Sequence, residues 1–156
     1  MSKLNALIID LDYYTIPEYR ELKSFQIIEL LKMDIYYLEP SFYIDSGRGL
    51  YLIWLLEDTY ATQKSKKFWK QIEKTLIQIF SEFGADKKVS DVARVLRLVG
   101  SKNSKTGEIV KIIQPKSDYN RDKFDIRRYE LHEMADFVWG IRDIYEKNKK
   151  VKKVNK

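Results

Sequence analysis

Cysteine is absent from the 156 residues, and histidine occurs once, at His132. The first absence excludes disulfides, thiolate zinc centres and cysteine nucleophiles. The second excludes any metal site built from several imidazoles. Proline is found three times and glycine six times, so turn-forming residues are few. Each marks a definite break in the chain. No apolar run approaches the roughly 20 residues that span a bilayer, and no signal-peptide pattern opens the sequence. The expected setting is cytoplasmic, away from membranes. What remains is 44% apolar and 33% charged, a composition that suits one globular domain with its own core.

The net charge of +6 is unevenly placed. Residues 1–60 hold five Lys or Arg against ten Asp or Glu, whereas the remainder holds 24 against 13. A basic body facing an acidic patch suits a polyanion held near bound metal ions. The last ten residues, 147–156, have no apolar face. They are expected to form a disordered basic tail, binding polyanions loosely or only solubilising the chain, after a globular core over residues 1–146.

Periodicity divides that core as follows. Leu4 to Asp12 reads as a central strand, because Leu7, Ile8 and Ile9 are too continuous for a half-exposed one. Pro17 suits the first turn of a helix running from Glu18 to about Met33, with Leu22, Phe25, Ile28 and Leu31 or Met33 inward. Short strands are expected at Tyr36–Leu38 and Phe42–Asp45. A glycine turn, Ser46-Gly47-Arg48-Gly49, then leads into a strand through Leu56. A helix over Ala61–Phe83 should stop at Gly84. Trp69 and the lysines of that helix could touch nucleic acid or belong to a solvated face. Glu108–Gln114 reads as a strand and Tyr129–Tyr145 as a last helix, with His132 on its surface and outside any catalytic role.

Three stretches carry possible chemistry. Asp10 and Asp12 are two residues apart, so at a strand end their carboxylates project together. They form either an acidic turn or a pair able to share a hard divalent cation such as Mg2+ or Mn2+. Around Gly47 and Gly49, Ser46 and Arg48 add a hydroxyl and a bidentate cation, which makes either a phosphate-holding turn or a plain hairpin. Asp91, Arg94, Arg97 and the loop through Lys105 could complete a metal site and neutralise a triphosphate, or form a short capped helix with a basic turn.

In this order, Leu7–Asp12, Ser46–Trp54 and Asp91–Lys105 resemble the archaeo-eukaryotic primase superfamily, the primase-polymerases. Within it they are most similar to the primase-type replication proteins of bacterial plasmids and mobile elements. The resemblance covers about Leu4 to Gln114. It implies an α+β domain, a mostly antiparallel sheet with packed helices like an RNA-recognition motif. It also implies a template-dependent nucleotidyl transferase that makes or extends primers with two Mg2+ or Mn2+ ions.

By resemblance, Asp10, Asp12 and Asp91 would be the catalytic metal ligands, and Ser46, Arg48, Tyr51, Arg94, Arg97, Asn103 and Lys105 would bind nucleotide or template. Single-stranded DNA and NTP or dNTP would be the ligands, and a replicative helicase or other replication proteins the partners. Tyr51 stands where much of the superfamily has His; a phenol donates a hydrogen bond but does not shuttle protons near neutrality. The first acidic motif also begins early, so the resemblance implies a core lacking the usual N-terminal segment. The alternative is a non-catalytic module that binds single strands or nucleotides through its cations.

Overall fold

Burial alternates along the first strand, β1 (Lys3–Leu11): Leu7, Ile9 and Leu11 are buried, while Ile8 and Asp10 are partly exposed. The structure, a computed structural model, describes residues 2–35, 38–87, 96–114 and 126–154, except for the side chains at 141, 144–146, 148–149 and 151–154. The sequence predicts a central strand buried on both faces. Instead β1 ends the sheet path, paired antiparallel with β3 (Leu50–Tyr60). Ile8 fits the less covered face because it lies opposite Ile53, where two aliphatic side chains shield each other.

The spine is β3. It pairs antiparallel with β1 and with β2 (Phe42–Asp45), and β2 pairs antiparallel with β4 (Lys111–Gln114), giving the order β1-β3-β2-β4. The two-residue β5 (Arg128–Tyr129) joins β3 in parallel beside Leu55 and Leu56. Three helices, α1 (Ser24–Ile35), α2 (Gln63–Ile79) and α3 (Leu131–Val154), contribute to one core with Leu7, Ile9, Leu11, Leu52 and Trp54. This is the expected α+β class.

Two indoles anchor that core. Trp54 is fully buried, donates Nε1–H to the Leu38 carbonyl at 3.0 Å and meets the Phe80 ring at 5.9 Å. Trp69, on α2, donates Nε1–H to the Ala6 carbonyl at 3.0 Å and is buried, so it is no nucleic-acid contact. Burial of each such side chain contributes on the order of 2 kcal/mol or more, and the N–H bonds avoid leaving a donor unpaired.

Several boundaries differ from expectation. The first helix begins at Ser24, because residues 16–22 close i to i+3 turns at Ile16–Tyr19 and Tyr19–Leu22. Gln26 then accepts from the Lys23 N–H at 2.9 Å, the side-chain half of a capping box. The helix is rotated accordingly: Ile27, Ile28, Leu31 and Ile35 are buried, while Phe25 and Met33 are 57% and 79% exposed. Of the strand expected at Tyr36–Leu38, positions 36 and 37 lie outside the described residues and Leu38 is in a bend. Tyr129 belongs to β5, and the last helix starts at Leu131. Thr62 caps α2 by accepting from the Ser65 N–H, and Gly84, at φ +80°, ends its 3-10 extension Phe80–Phe83. The last helix continues to Val154, through the segment expected to be disordered. No Gly or Pro interrupts residues 141–154, and lysines at a helix C-terminus favour its dipole.

The other face of the sheet carries a smaller cluster of Ile44, Tyr51 and Val110, with Phe42, Ile53 and Leu96 against it. No residue of the three helices joins that cluster. Among the described residues, no helix is long and apolar enough to cross a membrane.

Candidate functional site

Among the described residues, the acidic end of β1 is flanked on both sides. Leu11 bridges Ala85; the Asp12 N–H donates to the Gly84 carbonyl and the Asp86 N–H donates to the Asp10 carbonyl, each at 2.9 Å. This antiparallel pattern sets Asp86 opposite Asp10. Leu11 and Ala85 both point into the core, so their neighbours Asp10 and Asp86 face the other side of the sheet, whose cluster includes no residue of α1, α2 or α3. On β1's other flank, Asp10 lies opposite Tyr51, Tyr51 opposite Ile44, and Ile44 opposite Ile112. One row thus crosses that face from Asp86 to β4, with Tyr51 and Ile44 buried along it. Gly84 makes this close approach possible: a Cβ there would lie 2.6 Å from the Asp12 carbonyl oxygen.

Beside the carboxylates sits the turn between β2 and β3. The Ser46 N–H donates to the Gly49 carbonyl, and the Gly49 N–H donates to Ser46 Oγ, both at 3.0 Å. A Cβ on Gly49 would fall 2.4 Å from the Leu11 carbonyl oxygen and 3.6 Å from Asp12 Oδ1, so this backbone rests directly against the acidic strand end. Asp45 fixes the base of the turn, accepting from the Gly47 N–H at 2.7 Å and from Ser24 Oγ at 2.8 Å. The exposed Arg48 lays its guanidinium over the Tyr14 ring, 4.0 Å from the centroid. Burial first, then the Asp12 charge and a hydrogen bond to Asp12, raise the Tyr14 phenol above its ordinary range; nearby Arg48 opposes the shift.

A second loop grips the turn from outside. Buried Asn103 donates Nδ2–H to the Ser46 carbonyl at 2.8 Å, and Thr106 donates its hydroxyl to the Gly47 carbonyl at 2.8 Å. Asn103 Oδ1 meanwhile accepts from the Lys105 N–H at 3.0 Å. Arg97 reaches the hydroxyl of buried Tyr51, Nη1 to oxygen 3.5 Å. A cleft of about 590 Å³ opens alongside, bordered by Tyr13, Ser24, Asp45, Arg48, Glu108 and Lys111. A larger cleft, about 730 Å³, lies at the opposite end of β3 against Tyr60, Phe68 and His132, and contains none of these site residues.

Of the residues singled out in the sequence, Asp10, Asp12, Ser46, Arg48, Tyr51, Arg97, Asn103 and Lys105 gather around the end of β1 and the turn beside it. Asp91 and Arg94 lie outside the described residues. Ser46 and Asn103 are buried and bonded within the two loops, and Lys105 is exposed. Two residues escaped sequence reasoning. Asp86 follows a helix-ending glycine and a small apolar residue, a signal legible only once Ala85 is known to pair with Leu11. Tyr14 carries no local signal of its contact with Arg48, which is visible only in the fold. Carboxylate oxygens are the donor chemistry that hard divalent cations prefer. Among the described residues, no three acidic or imidazole side chains already close into a cage.

Known proteins are similar to this chain in sequence and in fold. Over 140 residues, 88% of the chain, it is 33% identical to a replication protein of Clostridium perfringens, of which it spans only 33%. Two solved structures match the fold. One is the AEP domain of the cyanophage S-2L primase-polymerase, with a TM-score of 0.54 at 16% identity, covering 88% of this chain and 62% of that one. The other is the catalytic domain of the primase RepB′ in complex with initiator DNA, with a TM-score of 0.50 at 15% identity, covering 95% and 63%. No family profile matches the chain. The resemblance to primase-polymerases is borne out: the chain has the fold of their catalytic domain and is similar in sequence to a replication protein.

Proposed function

We propose that this domain is a template-dependent nucleotidyl transferase that makes or extends primers in DNA replication. The supporting observation is the placement of Asp10 and Asp86 as cross-strand neighbours, with Asp12 and the Arg48 turn beside them. Asp10, Asp12 and Asp86 would hold Mg2+ or Mn2+, their oxygen-only donor set fitting either ion. When bound, such ions lower the pKa of an attacking hydroxyl and take up charge on the departing pyrophosphate.

The chain's own groups supply the rest. Arg48 presents guanidinium N–H edges for phosphate oxygens, and Arg97, at the Tyr51 hydroxyl, adds a second cation where charge grows on the transferring group. Asn103 and Thr106 hold the Arg48 turn. Sequence choice falls to pairing between nucleotide and single-stranded DNA template, leaving the protein to contact phosphate and shape.

Primer synthesis on single-stranded DNA with Mn2+ or Mg2+ tests this reading. Product from the native chain, lost in Asp10→Ala and Asp12→Ala, is expected. Product surviving both changes would contradict the site. DNA binding with no product under either metal would instead identify a binding module.

A further inference from the structure

We propose that the exposed face of α2 is a second nucleic-acid surface, a lysine track for the phosphate backbone of duplex DNA. It goes beyond the catalytic reading and stands on residues that reading does not use. Every exposed residue of α2 is Lys or Gln, with Lys64, Lys66, Lys67, Lys70 and Lys74 among them. The helix's single acidic residue, Glu73, is buried. None of the five lysines is in an ion pair with another described residue. The buried side of α2 packs into the core with Leu7, Ile9 and Leu11, whereas Asp10 and Asp86 face the other side of the sheet. The track and the acidic strand end therefore lie on opposite sides of the sheet.

A solvated helix is ordinarily stabilised by interleaved charges of both signs. On α2 the opposite holds. Lys66, Lys70 and Lys74 recur at i, i+4 and i+8, where like charges repel. Lys64 and Lys66 lie at the helix start, beside the positive end of its dipole, and the first turn has no acidic residue to offset them. Local rules broken in one direction mark a surface shaped by a partner rather than by folding, and the partner that relieves such repulsion is a polyanion. A duplex fits better than a single strand. Single-strand tracks pair cations with aromatic faces for the bases, but Phe68 packs against the His132 and Trp139 rings and Trp69 is buried. Lys66, Lys70 and Lys74 step along α2 at about 6 Å intervals, comparable with alternate phosphates of a duplex strand, whose charges recur about every 3.4 Å along the axis.

Fluorescence anisotropy of a labelled duplex, and of a labelled single strand of equal length, titrated with the full chain over a range of salt, tests this. Lys66→Gln, Lys70→Gln and Lys74→Gln together keep the helix propensity and are expected to weaken duplex binding at least about tenfold at low salt. The slope of log affinity against log salt should fall by about 2.7, three phosphate contacts at roughly 0.9 each. Single-strand binding should change less than about threefold, and primer synthesis on a single-stranded template should stay at its native level. An equal loss of charge around α1, by Arg20→Gln, Lys23→Gln and Lys32→Gln, should leave duplex affinity within about twofold. A native chain that binds no duplex, or an α2 variant with native duplex affinity, would overturn the proposal. So would an equal loss in the α1 variant, the result that net charge alone would give. A single-strand affinity that falls as far as the duplex affinity would contradict it too, as would a loss of binding to phosphatidylserine vesicles with duplex binding intact. Primer synthesis missing from the native chain, with the duplex results as expected, would remove the catalytic reading and leave the track standing.

Discussion

Asp86 donates its backbone N–H to the carbonyl of Asp10 at 2.9 Å, and the Leu11–Ala85 bridge beside it turns both carboxylates toward the face of the sheet away from the Leu11 side. Cross-strand neighbours of this kind have Cβ atoms about 4.5–5.5 Å apart, a spacing one cation can bridge. This relationship makes Asp86 the candidate third carboxylate, a place the sequence alone gave to Asp91. Asp86→Asn and Asp10→Asn should each lower primer synthesis at least a hundredfold, whereas Asp91→Asn should lower it less than tenfold. Steady-state assays showing the reverse order would return the role to Asp91.

Asn103 was expected to touch phosphate or template, yet its amide is buried and spent on the Ser46 carbonyl and the Lys105 N–H. Asn103→Ala leaves those groups without their partner. A loss of about 1–3 kcal/mol in folding stability is expected from denaturant titration. Nucleotide affinity should fall along with it, because the Arg48 turn loses its outer brace. A loss of affinity at unchanged stability would mean direct contact with the ligand instead.

Much of this was legible in the residues. The D-x-D pair, the Arg48 turn between strands, the stop at Gly84 and the strand Phe42–Asp45 follow from local signals that tertiary structure leaves intact. Long-range pairing was not legible. Ala85 meets Leu11, and β5 joins β3, through contacts that no periodicity announces. Nor could spacing alone give the rotation of α1. Phe25 and Met33 compete with Ile27 and Ile35 for the same stripe, and packing against the sheet decides between them. Trp69 misled for a related reason: an indole among lysines reads as surface until its N–H is seen bonded to Ala6.

Tyr43 offers a test of the core. Its hydroxyl is buried and has no hydrogen-bond partner among the described residues, and burial, reinforced by Glu39, drives its pKa far above the ordinary 10.0. Tyr43→Phe deletes an unsatisfied polar atom at nearly constant shape, so it should be neutral or stabilising by up to about 1 kcal/mol in thermal melts. The pH dependence has a definite sign. The unfolded chain releases this proton near pH 10 while the folded chain retains it, so stability is complete below about pH 10 and falls as pH rises above it. Tyr43→Phe should flatten that alkaline fall.

Gly49→Ala probes the contact between turn and strand. The new methyl would meet the Leu11 carbonyl oxygen at 2.4 Å, a backbone atom with no freedom to rotate away. A destabilisation of roughly 1–3 kcal/mol is expected, with weaker Mn2+ binding as the end of β1 shifts. Native stability in this variant would show that the turn does not rest on the strand as described.

The most direct test is the anomalous signal of Mn2+ in crystals grown with a non-hydrolysable nucleoside triphosphate. Manganese peaks bracketed by the carboxylates of Asp10, Asp12 and Asp86, with the triphosphate against Arg48, are the expected result. Manganese and triphosphate bound away from these residues, for example in the cleft beside Tyr60 and His132, would contradict the proposed site.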